Sequence, residues 1–188
     1  MKTTLRLASA AFLAVLSTAA ARAQDEPVKP TAEHVELAKE VGTWDAEVKI
    51  WLRGPEAPPD VSKGVEEISL MPGGLWLLSK FDGKMNGAPF SGHGISGYDP
   101  SKKKFIDVWV DSSDPHMMVL EGTYDEKTKT LTSLGKSTDP RTKAPYDVKT
   151  ETVLKGEDER EFTFFIKSDE TQGQYYKLLQ MTYKRKAK

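Results

Sequence analysis

From Trp44 to the C-terminus, turn chemistry recurs at short intervals and no helical period intervenes. The punctuation is Pro58-Pro59-Asp60, Pro72-Gly73-Gly74, Asn86-Gly87, Asp99-Pro100, Asp125-Glu126, Asp139-Pro140, Gly156 and Gly173, residues whose backbone preferences favour chain reversal. Between them lie about ten runs of strand length, near 43–53, 63–71, 75–84, 88–98, 104–112, 117–124, 129–137, 146–155, 160–167 and 175–185. In the first run, Trp44, Ala46, Val48, Ile50 and Leu52 alternate with Asp45, Glu47 and Lys49, as a strand with one buried and one wet face must. Short strands joined by tight turns pair antiparallel, and a meander of this length closes best as a barrel, which removes the exposed edges. GYDPSKKKF (Gly97 to Phe105), TYDEKTKTL (Thr123 to Leu131) and, more loosely, TDPRTKAPY (Thr138 to Tyr146) repeat one turn chemistry at irregular spacing.

The segment before the strands divides in three. Met1 to Ala23 reads as a secretory signal peptide: basic Lys2 and Arg6, an apolar run from Leu7 to Ala20, and Ala21-Arg22-Ala23 as the cleavage site before Gln24. The apolar run is shorter than the roughly 20 residues that span a bilayer, so the expectation is an exported protein, periplasmic or secreted, with no membrane span once the signal is removed. Residues 24–30 form a polar linker, and the barrel domain is expected over 31–188. Thr31 can cap a short helix from Ala32 to Val41, with His34, Leu37, Ala38 and Val41 on one face. Gly42 ends it.

Composition excludes several chemistries. The chain has no cysteine, so thiol nucleophiles, zinc–cysteine centres and iron–sulfur clusters are ruled out, and an exported chain must rely on its core alone. Removing Lys2, Arg6 and Arg22 from the 27 basic residues, with all 28 acidic ones retained, leaves a net charge of about −4. Such a chain offers phosphate backbones no basic face, so nucleic acid is not an expected partner.

Three patterns bear on a site. Gly92, Gly94 and Gly97 have the spacing of a dinucleotide-binding loop, but a Tyr98-Asp99-Pro100 turn and a new strand follow where that loop needs a helix. They read better as wall glycines that permit a bend or close packing. His34, His93 and His116 show no metal-ligand spacing, and no metal site is expected. His93 lies in a predicted strand and could face the interior; haem ligation through it is the less favoured reading, a hydrogen-bonded strand residue the favoured one. No nucleophile elbow or catalytic triad stands out, and no catalytic residue is assigned. Period-two geometry, finally, groups Glu66 with Ile68 and Leu70, and Asp107, Trp109 and Asp111 with Phe105. If those faces point inward, burial raises the pKa values of the acids. Solvent exposure is the plainer reading for any single one.

Gly42-Thr43-Trp44 after a short helix resembles the start of lipocalins and related calycins. In those barrels, the resemblance implies, the Trp closes one end and a basic residue late in the last strand packs over it. Arg185, after Met181 and Tyr183, is placed for that role. More widely, VGTWDAEVKIW (Val41 to Trp51), PGGLWL (Pro72 to Leu77), PFSGHGISGYDPSKKKF (Pro89 to Phe105), WVDS (Trp109 to Ser112) and EGTYDEKTKTLT (Glu121 to Thr132) resemble the family called domain of unknown function 1579. That resemblance implies a small exported bacterial barrel and carries over no catalytic residue.

The expectation is therefore an all-β, single antiparallel meander barrel, lipocalin-like, with a short helix at one end. Its leading function is to bind a small, mostly apolar ligand, with Glu66, His93, Trp109 or Asp111 as the polar group and Trp76, Phe90, Trp109, Phe164 and Tyr176 as candidate lining aromatics. A structural or interaction role in the cell envelope, with a filled barrel, is the alternative. An enzyme using interior acids or His93 comes third. A cavity of several hundred cubic ångströms separates the first two.

Overall fold

The structure is a computed structural model that describes residues 28–187 apart from Pro55 and Asn86. The signal peptide expected over 1–23 and the start of the linker lie outside the described residues. A helix, α1 (Ala32–Ala38), precedes β1 (Gly42–Ile50), β2 (Asp60–Leu70), β3 (Trp76–Met85), β4 (Ala88–Asp99) and β5 (Lys104–Asp111). The chain continues through β6 (Met118–Asp125), β7 (Thr130–Thr138), β8 (Pro145–Leu154), β9 (Glu159–Lys167) and β10 (Tyr176–Arg185). Each strand pairs antiparallel with its sequence neighbour, and β1 pairs β10, so the ten strands close into a meander barrel. Closure leaves no edge to template aggregation.

Alternation sets the wall. Trp44, Ala46, Val48 and Ile50 of β1 are buried and face in. Leu52, which extends the same pattern in the sequence, falls in the turn after β1 and is exposed. The core continues through Ile68, Leu77, Phe81, Phe90, Phe105, Met181 and Tyr183.

The three echoing segments are hairpin turns of one design. Asp99 accepts backbone N–H bonds from Ser101 and Lys102, Asp125 from Lys127 and Thr128, and Asp139 from Arg141 and Thr142. Four residues after each Asp, Lys103, Lys129 and Lys143 take positive φ angles of 54°, 56° and 63°. An aspartate that bonds the backbone ahead of it fixes such a turn without glycine.

The helix ends at Ala38, earlier than the pattern through Val41 suggests, and Val41 is exposed. Past Ala38 the chain tightens to i→i−3 bonds, from the N–H groups of Lys39, Glu40 and Val41 to the carbonyls of Glu36, Leu37 and Ala38. The Arg185 guanidinium donates to the carbonyls of Lys39 (2.8 Å) and Val41 (2.7 Å). A side-chain cation thus satisfies carbonyls that a helix end leaves without intrahelical partners. At the other end the Thr31 N–H donates to His34 Nδ1 at 3.1 Å. His34 and Leu37 are buried, and α1 lies against β3 and β4, so one end of the barrel is covered.

Candidate functional site

Because α1 sits at the start of β1, the up-and-down path sends the β3–β4, β5–β6 and β7–β8 connections to the opposite end. Between these ends lies an interior cavity of about 380 Å³. Leu37, Glu40, Glu66, Arg160 and Tyr183 form its floor beside α1, and Ile68, Leu77, Phe81, Phe90, Trp109, Phe162 and Phe164 are among the walls. At the far end Lys84, Ser113, Asp114, His116 and Tyr146 make a rim, where Lys84 and Ser113 are exposed. The arrangement is a cup with an apolar wall and a charged floor.

The floor is built around Arg160 on β9. Its guanidinium is paired with Glu40, from the segment joining α1 to β1, and with Glu66 on β2. The aromatic rings of Tyr183 and Trp44 lie 4.3 and 4.8 Å from it. Arg160 Nε is buried with no hydrogen-bond partner. Burial works against the arginine's charge, but Glu40 and Glu66 outweigh it and hold its pKa further up. Burial is also the main cause that raises Glu66, and the charge of Glu40 adds to it while Arg160 opposes. The Tyr183 phenol is driven well above the ordinary tyrosine range by burial, with Glu66 next to it.

Asp107 on β5 is the second interior acid. Ser133 Oγ donates to its Oδ2 at 2.9 Å, and Ser96 is its cross-strand neighbour on β4. Asp107 lines the cavity and keeps part of its surface accessible. Burial raises its pKa, the two serines oppose that, and the charge of Glu40 adds to it. No cation pairs with Asp107 among the described residues.

Three of the four proposed polar groups face the cavity. Glu66 does so, but its partner Arg160 makes it part of the floor. Trp109 lies along the wall, over Gly92: a Cβ on Gly92 would stand 2.2 Å from the indole. This close approach is the reason for glycine there, in place of any nucleotide-binding role. Asp111 sits near the mouth with its acceptors occupied, Oδ2 by Trp109 Nε1 (3.0 Å) and Oδ1 by the Ser113 and Asp114 backbones (2.8 and 3.0 Å). It fixes the β5–β6 loop.

The expectation for His93 is corrected. It is exposed on the outer wall, cross-strand from Lys80 and Val110. Phe90, Gly92, Gly94 and Ser96 share the inward parity, so His93 points out with Ile95 and can ligate nothing held inside. Trp76 and Tyr176 are corrected as well. Trp76 faces outward and packs on Gly97, while the Tyr176 hydroxyl bonds the Trp51 carbonyl. Phe90, Trp109 and Phe164 do line the cavity.

The residues the sequence reading missed are Glu40, Arg160, Tyr183 and, at the rim, His116, whose Nδ1 lies 2.8 Å from Asp114 Oδ1. Only Asp107 carried a signal, its shared face with Trp109 and Asp111. Among the described residues no group of three or more His, Asp or Glu is arranged to hold a metal ion. No described helix is long and apolar enough to cross a membrane.

Fold and cavity together define a lipocalin-like, closed antiparallel meander barrel with a hollow interior. The chain belongs to the family of proteins of unknown function DUF1579, whose model matches residues 29–185. No curated protein matches it. Among solved structures it is similar to Rv2717c from M. tuberculosis, at a TM-score of 0.59 and 14% identity over 84% of this chain and 99% of that one. That likeness concerns the fold. A redesigned β-barrel, b11L5F_LGL, matches at a TM-score of 0.39 and 15% identity, covering 79% of this chain and 93% of that one. EF1p2_mFAP2b, in a structure bound to DFHBI, matches at 0.40 and 10% identity, covering 81% and 97%.

Proposed function

We propose that the protein is an exported binding protein that holds one small, mostly apolar molecule in its barrel. The observation that carries this reading is the cavity of about 380 Å³, enclosed on one end and reaching the surface at the other. It falls in the range of roughly 300–1,000 Å³ typical of small-molecule sites. An apolar guest gains free energy by leaving water, and the walls supply aliphatic and aromatic contact. Against the envelope role with a filled barrel stands the same cavity, because a barrel that acts only through its outer surface has no need of a hollow interior.

Native mass spectrometry of the protein purified from its own host tests the proposal. The expected result is an added mass, in a fixed ratio to protein, that is released on unfolding. A protein that carries no such mass and also takes up no apolar probe in solution overturns the binding role. Sequencing the N-terminus of the same sample tests export: the chain should begin at Gln24, and retention of Met1 would overturn it.

A further inference from the structure

We propose that the molecule held in the cavity is an amphiphile with one cationic amine head, seated against Asp107 with its apolar body along the wall. This rests on the binding reading above and adds the chemical class of the ligand.

The other acids on the cavity surface are met by a cation, a histidine or several N–H donors, whereas Asp107 is met by serine hydroxyls alone. Arg160 answers Glu40 and Glu66. The loop N–H groups and Trp109 saturate Asp111. Asp114 meets His116. Asp111 also lacks a cation but has three N–H donors; among the described residues Asp107 has neither a cation nor an N–H donor. Two carboxylates already share one guanidinium on the floor, so the region carries an excess of negative charge, and the charge it lacks is positive. Lys84, the remaining lysine on the cavity surface, is at the rim and exposed.

The surroundings of Asp107 suit an ammonium group. Such a head has several N–H donors and no acceptor. Asp107 takes one of them, and the hydroxyl oxygens of Ser133 and Ser96, both on the cavity surface, can accept others. Ser133 is itself buried, and its cross-strand neighbour Thr150 is another buried hydroxyl on the same face. A carboxylate head would meet Asp107 and the surplus of the floor as a like charge, which is costly where water is scarce. A hydroxyl head fills the donor role without supplying charge. Burial raises the pKa of empty Asp107, and a cation seated beside it opposes that rise and favours the ionised form.

Decylamine, decanol and decanoate share an apolar chain and differ in head group. Titrated into the protein and followed by calorimetry and tryptophan fluorescence, decylamine should bind about tenfold or more tightly than decanol, and decanoate more weakly than either. In Asp107→Asn, decylamine should lose about tenfold or more while decanol binding stays unchanged, which also shows that the variant is folded. If decanol binds but decylamine shows no advantage, or its advantage survives Asp107→Asn, the amine assignment is overturned and the cavity reading stands. If none of the three binds, the cavity reading falls and the amine assignment with it. A preference for decanoate overturns the amine assignment alone.

Discussion

The Arg185 guanidinium lies 4.0 Å from the centre of the Trp44 ring, and the two residues are direct cross-strand partners between β10 and β1. The contact closes the barrel where its last strand meets its first. The same guanidinium donates to the carbonyls of Lys39, Val41 and Glu157, tying the end of α1 and the β8–β9 turn to that seam. Arg185→Ala removes a cation–π contact of about 1 kcal/mol together with charged hydrogen bonds to the backbone. The expected loss is about 2 kcal/mol in urea unfolding. Arg185→Lys should recover only part of it, because an ammonium cannot serve three carbonyls in one plane and cover the ring as well. A loss below a few tenths of a kcal/mol for the alanine variant would show the contact to be ornamental.

On the floor, Arg160 holds two carboxylates, and removing it should cost far more than removing either of them. Arg160→Met leaves buried Glu66 and half-buried Glu40 unanswered, a loss of about 3–5 kcal/mol. The double variant Glu66→Leu/Arg160→Met should be more stable than the single one, since one orphaned charge is gone. The single variant should also depend more steeply on pH. Burial already raises Glu66 above its ordinary 4.5, and without the opposing arginine it rises further. The folded state of Arg160→Met then binds a proton more tightly than the unfolded chain. Its relative stability is fullest below 4.5 and declines as the pH rises through the folded-state value. Chemical denaturation from acid to neutral pH measures both effects, and a pH-independent cost would contradict the second.

The fold was legible because its signals are local. Turn residues and period-two alternation placed ten strands, and the Trp44–Arg185 contact was implied by the resemblance of the G-x-W triplet and late arginine to lipocalins. The floor was not legible. Arg160 meets Glu40 across 120 residues of chain and Glu66 across 94, so the cluster exists only once the barrel has closed with its register set. His93 was misassigned for a different reason. Phe90 and Ile95, the nearest large apolar residues, lie on opposite parities, so nothing in that glycine-rich stretch fixes its phase. Trp76-Leu77-Leu78 has the same defect, an apolar run without alternation. Asp107 carried a partial signal, its shared face with Phe105 and Trp109, but Ile106, Val108 and Val110 make the opposite face apolar as well, so solvent exposure was the plainer reading.

Gly92 makes room for Trp109, so the wall itself can be tested. A methyl group on Gly92 would stand 2.2 Å from the indole, and the ring must move into the cavity to admit it. Gly92→Ala should cost about 1–3 kcal/mol, the usual range for overpacking a closed wall. It should also shift the tryptophan emission and weaken the uptake of apolar probes. Gly87→Ala serves as the comparison: that residue has open space around it, although its φ of 78° adds strain. It should therefore lose stability without any change in emission. If Gly92→Ala leaves emission and probe uptake as they were, Trp109 does not form the wall described here.

Asp107 should cost the empty protein stability at neutral pH, the reverse of what a buried, hydrogen-bonded acid is often assumed to do. Its folded-state pKa is raised above the ordinary 3.8, first by burial and then by the charge of Glu40, with the two serines opposing. The native state therefore holds the proton more tightly than the unfolded chain does. The stability this provides is complete below 3.8 and is lost as the pH rises through the higher folded-state value. Asp107→Asn keeps an acceptor oxygen for Ser133 and removes the ionisation, so the variant should melt higher than the parent at neutral pH. The gap should close as the pH falls toward 3.8, where both side chains are neutral. Melting curves across that range, recorded without ligand, decide the matter. A variant that melts lower than the parent at neutral pH would mean that ionised Asp107 is stabilised by a partner inside the barrel, and the free carboxylate required for an amine head would not exist.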